Sequence, residues 1–218
     1  MSARELRAEQ LRCRAGGRLI LDGVDLTVLA GQPLAVAGPS GSGKTTLLTV
    51  LSGLDQPASG GIFLDGQPLH ALGATLRSRC AVVLQTYGLV PVLTAAENVA
   101  VPLQAQALPR ALIRQRTEEA LATVGLADHG RHLAYELSGG QQQRVAVARA
   151  LAMQPDVLLA DEPTAELDAE SRARILRALL DHCGQDRIVI IASHDPEVAG
   201  ACAGELRLRD GRVHAAHG

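Results

Sequence analysis

A chain of 218 residues suits one α/β domain, and at 47% apolar residues it excludes chain-wide disorder. The aromatics are Phe63, Tyr87 and Tyr135 alone, too few for a base-stacking platform. With 21 basic and 23 acidic residues the net charge is −2, so no basic stripe exists and no nucleic-acid partner is expected.

Residues 18–28 hold two short apolar or alternating runs, Arg18–Leu21 and Val24–Val28. Asp22-Gly23 between them predicts a hairpin turn. Pro33–Ala37 is a continuous apolar run suited to a strand buried on both faces. A Gly-rich loop follows, then a helical run from Lys44 to Ser52 that Gly53 stops. Gly61–Gly66 reads as a strand ending in Asp-Gly. Residues 88–136 change character: Ile113, Ala120, Leu121 and Val124 share one helical face, and Arg114, Arg116, Glu118 and Glu119 the other. A helical insertion over about 88–150 is expected. Its last helix runs from Gly140 to about Met153, with Pro155 as a break. Val157–Ala160 and Ile188–Ala192 read as buried strands flanking a helix over about 166–182, and 205–213 as a terminal hairpin. Strands alternating with helices predict a mainly parallel sheet with ligands at the strand C-termini.

Cys13, Cys80, Cys183 and Cys202 have neither CxxC nor zinc spacing and read as small buried residues in a reducing compartment. His129, His132, His182, His214 and His217 read as solvated, as do Arg207, Arg209 and Arg212. The charged start of the chain has no apolar signal-peptide core. The uncharged stretch 80–96 is interrupted by Gln85, Gly88 and Pro91 and is no spanning helix. A soluble protein is expected, with any membrane span supplied by another chain.

Gly38-Pro39-Ser40-Gly41-Ser42-Gly43-Lys44-Thr45 fits G-x-x-x-x-G-K-[ST] after an apolar strand and before a helix. Its glycines allow backbone N–H groups to turn inward as an anion nest, and the helix start adds positive potential. Lys44 is the chain's one lysine; the other 20 basic residues are Arg. It would reach the β- and γ-phosphates, while the Thr45 hydroxyl would lie on Mg²⁺. The run Val157–Ala160 delivers Asp161 and Glu162 to the same sheet edge. Asp161 would hold Mg²⁺ and Glu162 would polarise the attacking water. A second anion-binding helix start follows Leu137: Ser138, Gly139, Gly140 and Gln141. Taken alone, this segment reads better as an N-cap Ser with a flexible Gly pair.

Together these residues resemble the ATP-binding-cassette (ABC) ATPases over nearly the whole chain. The resemblance rests on the loop 38–45, Gln85, the signature 137–141, Asp161–Thr164, Leu167-Asp168 and Ser193–Asp195. The runs Gly88–Leu103 and Asp195–Ala199 resemble the lipoprotein-release, macrolide-export and cell-division branch. The resemblance implies an α/β P-loop NTPase with an N-terminal antiparallel β subdomain and an inserted α-helical subdomain, one nucleotide-binding domain over 1–218. It implies ATP and Mg²⁺ as cofactors, with Thr46 also in the nucleotide site. Two cassettes would pair head to tail, most simply as a homodimer. Ser138, Gly139, Gly140 and Gln141 of each would face the other's nucleotide, and Asp168 would organise the facing loop. Gln85 would sense Mg²⁺ and the attacking water, and would link them to a separate transmembrane permease. His194 would contact the γ-phosphate and hold Glu162. Such a subunit would sit at the inner face of the cell membrane.

Two departures stand out. Family members carry an aromatic on adenine where this chain has Ala15, so Arg12 or Arg14 is expected to stack instead. Ala165-Glu166 precedes Leu167-Asp168 where Ser-Ala or Gly-Asn is commoner, placing a negative charge near the dimer seam. A soluble ABC ATPase of translation or DNA repair and a non-hydrolysing module remain as competing readings. The single cassette without a heptad run favours the transporter, and Glu162 with His194 favours hydrolysis.

Overall fold

The computed structural model describes residues 4–184 and 186–217. Residues 1–3 and 218, which the expected domain spans, and the side chain of His217 lie outside the described residues. The chain forms two compact units. The first comprises residues 4–82, 156–162 and 183–217; the second comprises 83–155 and 163–182.

The first unit holds an antiparallel sheet of β1 (Glu5–Ala15), β2 (Arg18–Leu29), β4 (Ser59–Leu64) and β5 (Gln67–Pro68), in the order β2-β1-β4-β5. Asp22-Gly23 is not the expected hairpin turn. β2 runs straight through it, because the chain reverses at Gly16-Gly17, both with positive φ. Gly23 (φ +71) is instead an extra residue where Leu11 pairs Val24 and Arg12 pairs Asp22, a bulge. A matching bulge at Gln10 (φ +47) has its N–H bonded to Asp25 Oδ1 at 2.8 Å. Asp65-Gly66, both at positive φ, joins β4 to β5 as the Asp-Gly signal predicts.

The second sheet runs β10-β9-β3-β8-β7-β6, built from β3 (Leu34–Ala37), β6 (Cys80–Val83), β7 (Val157–Asp161), β8 (Ile188–Ala192), β9 (Gly204–Arg209) and β10 (Arg212–His217). β3 pairs parallel with β8 and β9, and β7 with β8; β10 closes the edge antiparallel. Every residue of β7 and β8 is buried, and apart from the terminal Asp161 both are apolar runs. Helix α1 (Lys44–Leu51) touches β2, β7 and β8, so Leu47, Leu48 and Leu51 enter the core with Leu6, Leu21, Leu64 and Leu159. Each such leucine contributes about 1.5–3 kcal/mol. A four-member ion-pair cluster ties the same unit together. Asp156 accepts from Arg4 at 2.7 Å and from Arg79, at the end of α2 (Ala74–Arg79), at 2.6 Å; Arg79 also meets Asp65 at 2.5 Å.

In the second unit α3 (Ala95–Ala105), α4 (Arg110–Thr123) and α5 (Gly139–Ala152) pack on one another. Thr94 and Glu97 close a capping box on α3. Buried Asn98 bonds the backbone of Val90, Leu93 and Thr94, fixing the preceding loop. On α4, Ala120 and Leu121 face inward as expected. Helix α6 (Ala169–Cys183) begins in this unit. His182 is buried rather than solvated, because it lies near the end of α6 with Nε2 3.1 Å from the Pro155 carbonyl. Cys80 and Cys202 are half-buried, whereas Cys13 and Cys183 are buried; all four are free thiols.

Candidate active site

The loop from Gly38 to Gly43 joins β3 to α1 in the first unit. Two of its glycines are forced. A Cβ at Gly38 would lie 2.2 Å from the Leu208 carbonyl oxygen. Gly43 caps α1 at φ +104, where a Cβ would meet Leu21 at 2.8 Å. The loop is braced from β9–β10: the Gly211 amide donates to the Ser42 carbonyl at 3.2 Å. Pro39, Ser40 and Gly41 are exposed along its outer rim.

Lys44 is 8% exposed, and its Nζ curls back to the carbonyls of Gly38 (2.8 Å) and Pro39 (3.3 Å). The ammonium has three donors, so it reaches further, to Glu162 Oε1 at 4.0 Å. Thr45 Oγ1 donates to Asp161 Oδ2 at 2.5 Å; Thr46 is half-buried beside it. Burial pushes the Asp161 carboxyl up; the Thr45 hydrogen bond pulls it back, the Glu162 charge raises it and Lys44 lowers it.

Glu162 follows β7 in a left-handed conformation (φ +48) with its N–H on the Ala192 carbonyl. Its side chain is 11% exposed and doubly held: Ser193 Oγ donates to Oε2 at 3.1 Å, and His194 Nδ1 lies 2.9 Å from Oε1. Ser193 in turn accepts from the Asp195 amide. The first unit therefore assembles the loop, Lys44, Thr45, Asp161, Glu162 and His194 in one place. Sequence reasoning gave no role to Ser193; its position between β8 and His194 was the available signal.

These residues fit a triphosphate with Mg²⁺. Buried Ser42 Oγ has no hydrogen-bond partner among the described residues. Thr45 and Asp161 make a hard-oxygen pair of the kind Mg²⁺ uses alongside phosphate oxygens. Among the described residues no group of three His, Cys, Asp or Glu could cage a metal by itself.

Gln85, the signature and Asp168 belong to the second unit. Gln85 is exposed. Ser138 caps α5: its Oγ accepts from Gln141 N–H at 3.3 Å, and Gln141 Oε1 accepts from Ser138 N–H at 2.9 Å. Gly139 and Gly140 form the first turn behind that box. Asp168 Oδ1 accepts from the Ser171 amide at 2.9 Å, and these backbone bonds hold its carboxyl below the usual range.

The ABC transporter family model matches residues 21–165. The chain belongs to the ABC transporter family. This ABC cassette is 47% identical over 180 residues to an uncharacterised ABC transporter ATP-binding protein of Mycobacterium tuberculosis, covering 80% of this chain and 54% of that protein. It thus spans about half the length of that mycobacterial relative. It is 39% identical to the lipoprotein-releasing system ATP-binding protein LolD of Aquifex aeolicus, covering 95% of both chains. A macrolide export ATP-binding/permease protein, MacB 2 of Aeromonas hydrophila, is 42% identical over 89% of this chain and 31% of its own length. These are branches the sequence resembles. A solved dimeric structure of a bacterial ABC transporter cassette superposes with TM-score 0.88 at 33% identity over 97% of each chain. The same cassette solved as a post-hydrolysis dimer with ADP and Pi gives the same figures.

Both arginines expected at adenine have polar partners within the chain. Arg12 Nε pairs with Asp22 at 3.0 Å, and Arg14 donates to the Gly17 carbonyl at 3.2 Å. Ala15 is exposed at the strand end, and Phe63 lies under the Arg7 guanidinium at 5.1 Å. The signature helix also has neighbours that sequence reasoning missed. Arg149 of α5 donates to the carbonyls of Tyr87 (2.7 Å) and Gly88 (2.5 Å), and the Tyr87 hydroxyl donates to Glu166 Oε2. Glu166 was visible in the sequence as an unusual charge; its tyrosine partner was not.

Proposed function

We propose that this cassette binds MgATP and hydrolyses it as half of a head-to-tail pair, most simply a homodimer, moving a separate transmembrane permease from the inner face of the membrane. The observation that carries the reading is Glu162, held by Ser193 and His194 and 4.0 Å from the phosphate-loop lysine. Two hydrogen bonds fix the carboxylate in one orientation, which suits a general base for a water attacking the γ-phosphate. Lys44 and the loop amides neutralise phosphate charge, and the Ser42 hydroxyl is free to donate. Thr45 and Asp161 would hold Mg²⁺, which supplies charge neutralisation between phosphate oxygens. Gln85 would sense that ion and the attacking water. Ser138, Gly139, Gly140 and Gln141 would meet the nucleotide of the second copy, with Asp168 ordering the facing loop.

The LolD and MacB relatives support transport as the purpose of the cycle. No helix among the described residues is long and apolar enough to cross a membrane, so the permease is assigned to a different stretch of protein. The test is Glu162→Gln: turnover falls at least about 10²-fold while MgATP binding survives. Tagged Glu162→Gln protein, extracted from native membranes with MgATP in mild detergent, then captures a polytopic membrane protein in stoichiometric amount. Retained turnover removes Glu162 as base; soluble partners or ribosomes alone favour a non-transport ABC ATPase.

A further inference from the structure

The first turn of α5 is flanked by an anion of the chain's own. A Cβ built on Gly139 would lie 2.7 Å from Glu166 Oε2, and one on Gly140 would lie 3.1 Å from the Glu166 carbonyl oxygen. Glu166 thus lies across both signature glycines. Its carboxylate accepts from the Tyr87 hydroxyl, and that tyrosine is itself constrained. Tyr87 has φ +58, rare for an aromatic residue, and Arg149 bonds its carbonyl and the next one. Burial and the adjacent carboxylate push the phenol up to about 12, so it stays a proton donor at any physiological pH.

We propose that Tyr87 and Glu166 form a resting latch that keeps a carboxylate over the start of α5, where a nucleotide carried by a second copy must displace it before the two copies close. The proposal rests on the head-to-tail reading above and names its regulation. A carboxylate at a helix N-terminus is favourable because the terminal N–H groups and the macrodipole make the potential there positive. A γ-phosphate would seek the same potential. Both cannot occupy it without like-charge repulsion, so one replaces the other. Tyr87 sits two residues after Gln85, the residue the family resemblance assigns to sensing Mg²⁺ and to the permease link. Movement of that segment would pull the phenol from Glu166 and release the latch.

The test uses the Glu162→Gln protein, which accumulates the nucleotide-bound state. MgATP is titrated and dimerisation followed by sedimentation velocity. Adding Glu166→Gln keeps an acceptor for Tyr87 but removes the charge, and lowers the MgATP midpoint of dimerisation about fivefold. Adding Tyr87→Phe frees the carboxylate and shifts the midpoint the same way. The two together give no more than Glu166→Gln alone, as one latch requires. Glu166→Ser, at an exposed position, guards against an unforeseen contact of the glutamine. A purely structural brace gives lower melting temperatures with an unchanged or higher midpoint, and that result overturns the latch alone. Absence of any MgATP-driven dimer, with nucleotide still bound, overturns the head-to-tail reading and the latch with it.

Discussion

The Thr45 hydroxyl and the Asp161 carboxylate meet at 2.5 Å although 116 residues separate them, one at the start of α1 and the other at the end of β7. Without a cation this pair carries a buried acid that resists ionisation. Burial raises the folded-state value above the unfolded one, so the native protein holds the proton longer. Stability from this group therefore falls as pH rises from the unfolded carboxylate range through the raised folded value. Asp161→Asn is expected to raise the melting temperature of the nucleotide-free protein at neutral pH. It also removes most of the added stabilisation given by MgATP over ATP with EDTA. At a hundredfold excess over Kd, full ligand stabilisation is about 2.7 kcal/mol, several degrees in a domain of this size. Thermal melts with and without Mg²⁺ check both signs.

Glu162 has two tethers of unequal consequence. Ser193→Ala removes one hydrogen bond and is expected to lower kcat about tenfold. His194→Ala removes the other and is expected to lower it about 10²-fold or more, within the range for misplacing a general base. Nucleotide affinity changes less than twofold in Ser193→Ala, whereas His194→Ala also loses the ring expected at the γ-phosphate and weakens MgATP binding. Single-turnover hydrolysis with equilibrium binding separates the two effects.

Base selectivity is expected to be loose. Ala15 is exposed, Arg12 is paired with Asp22, Arg14 is turned to Gly17, and Phe63 is covered by Arg7. GTP and CTP should support hydrolysis within about tenfold of ATP. Ala15→Tyr should tighten MgATP about tenfold, the lower end of what stacking on an aromatic ring supplies. Equal affinity in the two proteins counts against this account.

The Arg4–Asp156–Arg79–Asp65 cluster predicts a stability effect with no catalytic one. Its side chains are about a quarter to a third exposed, so each charged hydrogen bond is screened but not lost to solvent. Asp156→Ala breaks two of them and is expected to cost about 1–3 kcal/mol by urea denaturation. The kcat of the folded fraction stays unchanged.

The phosphate loop, the buried strands and the two acids were legible because their chemistry needs a fixed residue order within a short segment. Asp22-Gly23 misled, since the same dipeptide serves a hairpin turn and a bulge, and only the pairing of β1 with β2 distinguishes them. His182 was misjudged because nothing in its neighbours in sequence announces the Pro155 carbonyl that receives its ring. The Tyr87–Glu166 bond joins two residues 79 apart that belong to no shared motif, so only a folded chain reveals it. Ser193 lay in between: its motif was recognised, but its hydroxyl's target was not.

Gly38 and Gly211 are both wedged by backbone oxygens, from Leu208 and Ile20, at 2.2 Å from where a Cβ would stand. One belongs to the phosphate loop and the other to the turn between β9 and β10 whose amide holds Ser42. A saturation library selected for nucleotide binding would therefore score position 211 as intolerant as position 38, though no step of the chemistry uses it. Mutational intolerance in this cassette marks the footing of the loop as well as the loop, and a map of sensitive positions will overstate the size of the active site toward the β9–β10 turn.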